Sequence, residues 1–369
     1  MSNPRSIKRI GLLTGVGDCP GLNAVIRAVS KTAMFRHGIE VVGILNGYEG
    51  LIRNQVELLD ASDVSGILTR GGTILGSNNR ISPMQFPVES EDGSIEYIDA
   101  TDRCLQTIEA HRLDALIVIG GDGTMACTMP IVNAGVPCIG VPKTIDNDII
   151  GTELTFGYTT AMTTATLSLD RLHTTADSHH RVMVCELMGR NAGWLTLGAG
   201  IASGSDVILI PEIPFSIERI CDYLQERMQS PAGFSIIACA EGAHPEGGNQ
   251  IISQIVEGSP DPLRLGGIGQ LVAAAIEEHT KFETRTTVLG HVQRGGPPVA
   301  MDRVLATRFG VSALELLMAG EINRMVVWRH GDIDHVDIGD VVTGQRLVPL
   351  DHPMLDAARA VRTCFGQDT

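Results

Sequence analysis

The chain has 369 residues, 43% hydrophobic and 19% charged, an ordinary globular composition spread over more length than one compact core takes. A formal net charge of -15 works against nucleic acid and anionic membranes as partners. The eight cysteines form no C-x-x-C pair, and no apolar run approaches the roughly 18 residues of a membrane span. Reduced thiols, and a polar, basic start over residues 1–9 without a signal-peptide segment, lead us to expect a cytoplasmic protein.

Taken in chain order, the pattern predicts a strand at Arg9–Thr14, a helix at Leu22–Phe35, and strands at Ile39–Leu45, Asp114–Ile119 and Val136–Val141. A helix at Thr159–Leu172 follows, then strands at Arg181–Glu186 and Asp206–Ile210 and a helix at Ile217–Gln229. A strand at Phe234–Ala240, a helix at Gly269–His279 and a strand at Thr286–Leu289 complete the series. Glu89–Ser94 is polar and acidic and reads as a surface excursion. Strands alternating with helices imply an α/β protein with mostly parallel sheets, whose ligands sit at the carboxyl ends of the strands. Domain boundaries fall near 157 and near 292.

Three turns carry chemistry. Thr14-Gly15-Val16-Gly17-Asp18-Cys19-Pro20-Gly21 joins a strand to a helix, where glycine amides and the helix dipole can receive phosphate. It does not fit the dinucleotide spacing, and no G-K-[S/T] exists for a P-loop. The bland alternative is a tight turn without ligand. Gly120-Gly121-Asp122-Gly123-Thr124 follows a second apolar strand; Asp122 there can hold Mg²⁺, unless it merely caps the next helix. Pro142-Lys143-Thr144-Ile145-Asp146-Asn147-Asp148 ends a third strand with two carboxylates, one of which can accept a hydroxyl proton during phosphoryl transfer. A self-capped polar turn is its bland alternative. Cys19 beside a helix start has a position that can lower a thiol pKa, although packing is its first role.

These turns, with Met188-Gly189-Arg190, Ala240-Glu241-Gly242 and Val288-Leu289-Gly290-His291-Val292-Gln293-Arg294-Gly295-Gly296, resemble the phosphofructokinase family from Ile10 to about Met318. The resemblance implies two Rossmann-like three-layer domains: a donor domain over 1–157 plus about 293–343, and a sugar-phosphate domain over 158–292 plus about 344–369. It implies fructose 6-phosphate as acceptor and ATP or pyrophosphate as donor. Asp146 takes the role of base, with Thr144, Arg190 and Asp148 around the transferred group. Asp122 is the Mg²⁺-linked carboxylate. Gly15, Gly17, Asn79, Arg80, Gly121, Gly123, Thr124 and Lys143 lie on the donor side. Met188, Gly189 and Glu241 contact the sugar, and Arg181, Arg285, His291 and Arg294 take its 6-phosphate. In the family the counterparts of Arg181 and Arg285 come from a neighbouring subunit, which implies a homo-oligomer, dimer or tetramer. Neither His179 nor His180 receives a ligand role.

Gly123 leaves room for the α-phosphate of ATP where pyrophosphate users place Asp, whereas Lys143 is the residue pyrophosphate users carry. Weighing both, we expect ATP. Two positions depart from the family: Val16, where glycine is usual and a β-branched residue resists positive φ, and Asn79, where many members carry Arg, with Arg80 one residue later. Arg27 and Lys31 match part of the family's effector cluster, but Gln229–Gly233 lacks its lysines, so control by nucleotide or phosphoenolpyruvate is expected to be weak or absent. Remaining alternatives are a kinase of the NAD or diacylglycerol type, another sugar phosphate as substrate, and a silent sugar-phosphate-binding relative.

Overall fold

The computed structural model of the chain describes residues 7–90, 92–229, 233–256 and 262–367. Its strands, in order, are β1 (Arg9–Thr14), β2 (Glu40–Ile44), β3 (Val56–Leu59), β4 (Phe86–Glu89), β5 (Ile95–Ile98), β6 (Ala115–Gly120), β7 (Cys138–Thr144) and β8 (Phe156–Gly157). They continue as β9 (Val182–Leu187), β10 (Val207–Leu209), β11 (Ser235–Ala240), β12 (Ile252–Ile255), β13 (Leu263–Leu265), β14 (Thr284–Val288), β15 (Arg324–Arg329) and β16 (Asp332–Asp337).

The first sheet runs β16-β15-β7-β6-β1-β2-β3, with β8 beside the end of β7. It is parallel except at its two edges, where β3 and β16 run antiparallel to their neighbours. The second sheet, β10-β11-β9-β14, is parallel throughout. β6, β7, β9 and β11 are buried along their whole length, which is why they read as largely apolar runs rather than alternating ones. The fold is α/β with mostly parallel sheets, as the strand–helix alternation predicts.

One apolar core runs through both sheets. It joins Ile10, Leu12 and Ile117 of the first to Cys185 and Ile236 of the second through Ala161, Ala165 and Leu169 of the helix Tyr158–His179. The amino end of that helix is held by Asp302, a fully buried carboxylate whose Oδ2 accepts from the Thr160 amide at 2.7 Å. Negative charge at a helix amino terminus is favourable, so Asp302 fixes the helix Ala300–Met318 to the long one.

The structure adjusts several sequence expectations. The predicted helix Leu22–Phe35 stops at Thr32 and passes into a π-turn over Ala33–His37, closed by Gly38 at φ 66°. Glu89–Ser94 is the turn of the hairpin β4–β5, with Ser90 N donating to Ser94 O at 2.8 Å; Glu91 lies outside the described residues. Residues 1–6, and Ser230–Ala232 of the segment read for effector lysines, also lie outside them. The hairpins β4–β5, β12–β13 and β15–β16 have no counterpart in the sequence reading, because half-exposed strands of three to six residues carry little periodicity. Among the described residues no helix is long and apolar enough to cross a membrane.

Helices Leu22–Thr32 and Ala300–Met318 pack tightly at Gly310, where a Cβ would stand 2.8 Å from Ala28 Cβ and 3.0 Å from Val25 O. Gly310→Val is therefore expected to cost about 1–3 kcal/mol by overpacking. Urea unfolding checks this, and Ala28→Gly in the same chain should restore part of the loss.

Candidate active site

β1 and β6 are parallel neighbours from which the chain departs to opposite sides, so the crevice beyond their carboxyl ends is the switch point of the first sheet. Two turns line it, and one side chain locks them together. A Cβ on Gly15 would lie 2.2 Å from the Thr124 methyl, and one on Gly120 would lie 2.3 Å from Thr124 Cβ. Only glycine fits at either place. Thr124 Oγ1 accepts from the Val16 amide at 3.2 Å.

Val16 does not strain the first loop. Its φ is not positive; the left-handed positions are Gly17 at φ 71° and Gly21 at φ 114°. Val16 instead presents its carbonyl to Lys143 Nζ. Lys143 is buried at the end of β7, and burial pushes its ammonium pKa down. Gly123 is exposed, with nothing within 4 Å of where a Cβ would be. The helix Asp122–Asn133 starts at Gly121 without a side-chain cap, so Asp122 is not used as one.

At the end of β7 half of the polar run is turn chemistry. Thr144 Oγ1 accepts from Asp146 N at 3.0 Å, and Asn147, at φ 55°, accepts from Thr155 N at 3.0 Å. One oxygen of Asp146 is not consumed this way. Asp146 Oδ1 is buried and has no hydrogen-bond partner among the described residues. Burial pushes the Asp146 carboxyl up, while the cations Arg294, Lys143 and Arg190 pull it back. Burial also pushes Asp148 up to about 7, reinforced by Asp146 and Asp122.

The second sheet aims its own carboxyl ends at these carboxylates. β9 ends in Met188, Gly189 (φ 134°) and Arg190 (φ 51°), and β11 ends in Glu241, which accepts from the Arg190 amide at 3.2 Å. A Cβ on Gly242 would be 1.8 Å from Arg190 O, so the two turns touch. Burial pushes Glu241 up to about 7, with Asp146 adding to the rise. After β14 the short 3₁₀ turn Gly290–Arg294 exposes His291 and sends Arg294 across, where Nη1 donates to Asp18 O at 3.3 Å. Arg294 thus spans from the second sheet to the first glycine loop.

Not every expected residue joins this cluster. Asn79 and Arg80 are exposed in a loop whose earlier part, at Gly76, accepts from Thr14 Oγ1 at 2.6 Å. Arg181 and Arg285 stand at the amino ends of β9 and β14, the wrong ends of roughly 20 Å of strand, and share Glu283 there. His179 and His180 are exposed. Cys19 is fully buried against Gly157, where a Cβ would come 2.5 Å from its sulfur, and burial pushes its thiol far up; packing, not reactivity, is its role.

Sequence reasoning missed three groups. Asn23, buried in the first turn of its helix, donates to Arg70 O (3.1 Å) and accepts from Ile74 N (2.8 Å), clamping the loop that leads to Gly76. Gln345 Nε2 donates to Asp148 Oδ2 at 2.9 Å. Arg346 donates from its amide to Asp148 O (2.7 Å) and from Nη2 to Asn147 O (2.9 Å), with its guanidinium 4.1 Å above the Trp194 ring. None has a motif; each is a lone polar residue whose partner is distant in sequence.

The oxygens of Asp122, Asp146 and Asp148 are hard donors of the kind a divalent cation prefers, and the orphaned Asp146 Oδ1 leaves an acceptor unused. Among the described residues no three His, Cys, Asp or Glu side chains form a complete metal cage. That fits a cation shared with a ligand's phosphates, held by few protein carboxylates.

Comparison with known proteins gives a consistent picture. Residues 9–317 match the family model described as Phosphofructokinase. An ATP-dependent 6-phosphofructokinase 2 of Clostridium perfringens is 47% identical over 361 residues, covering 98% of this chain and 99% of its own. A pyrophosphate–fructose 6-phosphate 1-phosphotransferase of Amycolatopsis methanolica is 45% identical over 344 residues, covering 92% and 96%. The structure of phosphofructokinase from Saccharomyces cerevisiae superimposes with a TM-score of 0.75 at 30% identity; the alignment covers 91% of this chain but only 45% of that longer one.

Glu241 supplies a test independent of any activity. Its folded carboxyl titrates near 7, above the ordinary ~4.3 of the unfolded chain, so ionised Glu241 costs stability that grows as pH rises between those values and is constant above them. Glu241→Gln should raise Tm by roughly 2–4 °C at about pH 8 and by nothing at about pH 4.5. Calorimetry across that range checks both the sign and the window.

Proposed function

Because the chain belongs to the phosphofructokinase family, we propose that it is a 6-phosphofructokinase that moves the terminal phosphoryl group of ATP to the 1-hydroxyl of fructose 6-phosphate. The observation that carries this reading is the buried, unpartnered Asp146 Oδ1 at the meeting of two sets of strand ends, one built for phosphate and the other for a polar acceptor.

The steps follow from the residues. The donor phosphates rest on the amides of Gly15–Gly17 and Gly121–Thr124, with Lys143 beneath the first loop and the open side of Gly123 leaving room for the rest of ATP. The sugar lies against Met188, Gly189 and Glu241, its 6-phosphate toward His291 and Arg294. Asp146 accepts the proton of the 1-hydroxyl as the oxygen attacks phosphorus, while Thr144 and Arg190 face the transferred group. A divalent metal is expected of a kinase; Asp122, with Asp148 nearby, would hold Mg²⁺, which supplies charge neutralisation on the donor phosphates. Dry walls strengthen each of these interactions and keep water from intercepting the phosphoryl group.

The first sheet and the residues following the 3₁₀ turn serve as the donor domain, 1–157 plus about 293–343, and the second sheet belongs to the sugar domain, 158–292 plus about 344–369. Arg181 and Arg285 are too far from their own Asp146 to complete its phosphate pocket, so in this reading they complete a neighbour's, in a dimer or tetramer. The enzyme works in the cytoplasm, in glycolysis. Arg27 with Lys31, whose ammonium lies 6.0 Å over the Phe35 ring, is too small a basic group for strong effector control.

Asp146→Asn is expected to lower kcat at least ~10²-fold with the KM for fructose 6-phosphate within about threefold. Unchanged turnover removes Asp146 from the role of base. The donor is tested by initial rates with ATP and with pyrophosphate side by side. Turnover with ATP is expected, and Gly123→Asp should depress it about tenfold or more by placing a carboxylate against the α-phosphate. Turnover with pyrophosphate alone would make Lys143, and not Gly123, the residue that decides the donor.

A further inference from the structure

Gln345 and Arg346 lie beyond residue 317, where the family match stops. They cross the catalytic turn as a short strap: Gln345 forms an antiparallel bridge with Ile149, and Arg346 N donates to Asp148 O. Four side chains line up through the strap. Gln250 Nε2 donates to Asn191 Oδ1 at 3.3 Å and to Gly242 O at 3.2 Å. Asn191 Nδ2 donates to Gln345 Oε1 at 3.1 Å, and Gln345 Nε2 donates to Asp148 Oδ2 at 2.9 Å. The three side-chain bonds from Gln250 to Asn191, Gln345 and Asp148 point the same way and end on the carboxylate, and a fourth anchors Gln250 to Gly242 O. The row starts at the turn that follows Glu241, passes the residue after Arg190, and ends beside Asp146. Both sugar-side turns and the catalytic turn are therefore tied by one chain of amides.

We propose that Gln345 is a positioning residue: through the row Gln250–Asn191–Gln345 it fixes the Asp148 carboxylate relative to the sugar-side turns, so that the catalytic turn takes its working geometry from the acceptor site. The proposal rests on the function given above. The chemistry of the amide suits the task. A primary amide is a neutral side chain that accepts at its oxygen and donates at its nitrogen in a fixed plane, so it can pass an orientation from Asn191 to a carboxylate. Glutamate in its place has the same shape but no donor, and methionine has neither group. Each bond is ordinary in strength; what it contributes is direction, and sub-ångström misplacement of a group beside a reacting centre is costly.

The test uses the full chain. Gln345→Met is expected to lower kcat about tenfold with both KM values within about twofold and Tm close to the parent. Gln345→Glu, nearly isosteric, should be worse than Met because it sets a carboxylate against Asp148. Asn191→Ala should also lower kcat, and the double variant Asn191→Ala with Gln345→Met should be no slower than Gln345→Met alone, since a broken row cannot be broken twice. Multiplying losses, a loss confined to KM, or Glu performing better than Met would each overturn the proposal. Parent protein that fails to phosphorylate fructose 6-phosphate with either donor would instead defeat the function proposed above. The row is then judged by crystal structures: an Asp148 carboxylate with the same orientation in the parent and in Gln345→Met overturns it on its own.

Discussion

The crowding of carboxylates between the carboxyl ends of two parallel sheets is the constraint on which the rest depends. Asp146, Asp148 and Glu241 all have pKa values raised first by burial and then by one another or by Asp122. Crowding acids out of water is unfavourable, and the fold tolerates it through the cations nearby. Lys143 and Arg294 reach the first glycine loop from opposite sheets, and Arg190 comes from a turn whose amide is held by Glu241. A chain of net charge -15 thus still gathers Lys143, Arg190 and Arg294 around its buried carboxylates.

Glycine sets the shape of the same crevice from the first sheet. Gly15 and Gly120 both face Thr124, and their missing side chains bring two strand ends close enough for one hydroxyl to bond the neighbouring loop. Gly123 is different: it faces open space, and its lack of a side chain matters to whatever binds there, not to the protein's own packing. The same residue type serves closure at two positions and access at a third.

Much of this was legible in the sequence because it is local. The strand Arg9–Thr14 has the bounds its apolar run predicts, and the three turns singled out for chemistry stand at strand ends. The alternative reading of Asp122 as a helix cap fails on a local fact as well, since that helix begins without one. Val16 departs from the family's glycine without strain, because Gly17 next to it takes the left-handed conformation. What the sequence hid are contacts between residues far apart: Asn23 with Arg70 and Ile74, Asp302 with Thr160, and the side chains that converge on Asp148. A polar residue without a motif gives no sign of its distant partner. The two arginines at the amino ends of β9 and β14 show the converse, since a family motif marks them while the single chain leaves them remote from Asp146.

The strap at Gln345 and Arg346 also bears on how the protein is made. Residue 346 is about two hundred residues later in synthesis than the catalytic turn it covers. The second sheet, and the first sheet apart from its strands β15 and β16, lie well ahead of the strap in sequence. Until Arg346 is made, the Asn147 and Asp148 carbonyls lack the donors that it supplies. The order of translation therefore makes these contacts across the turn among the last that synthesis permits.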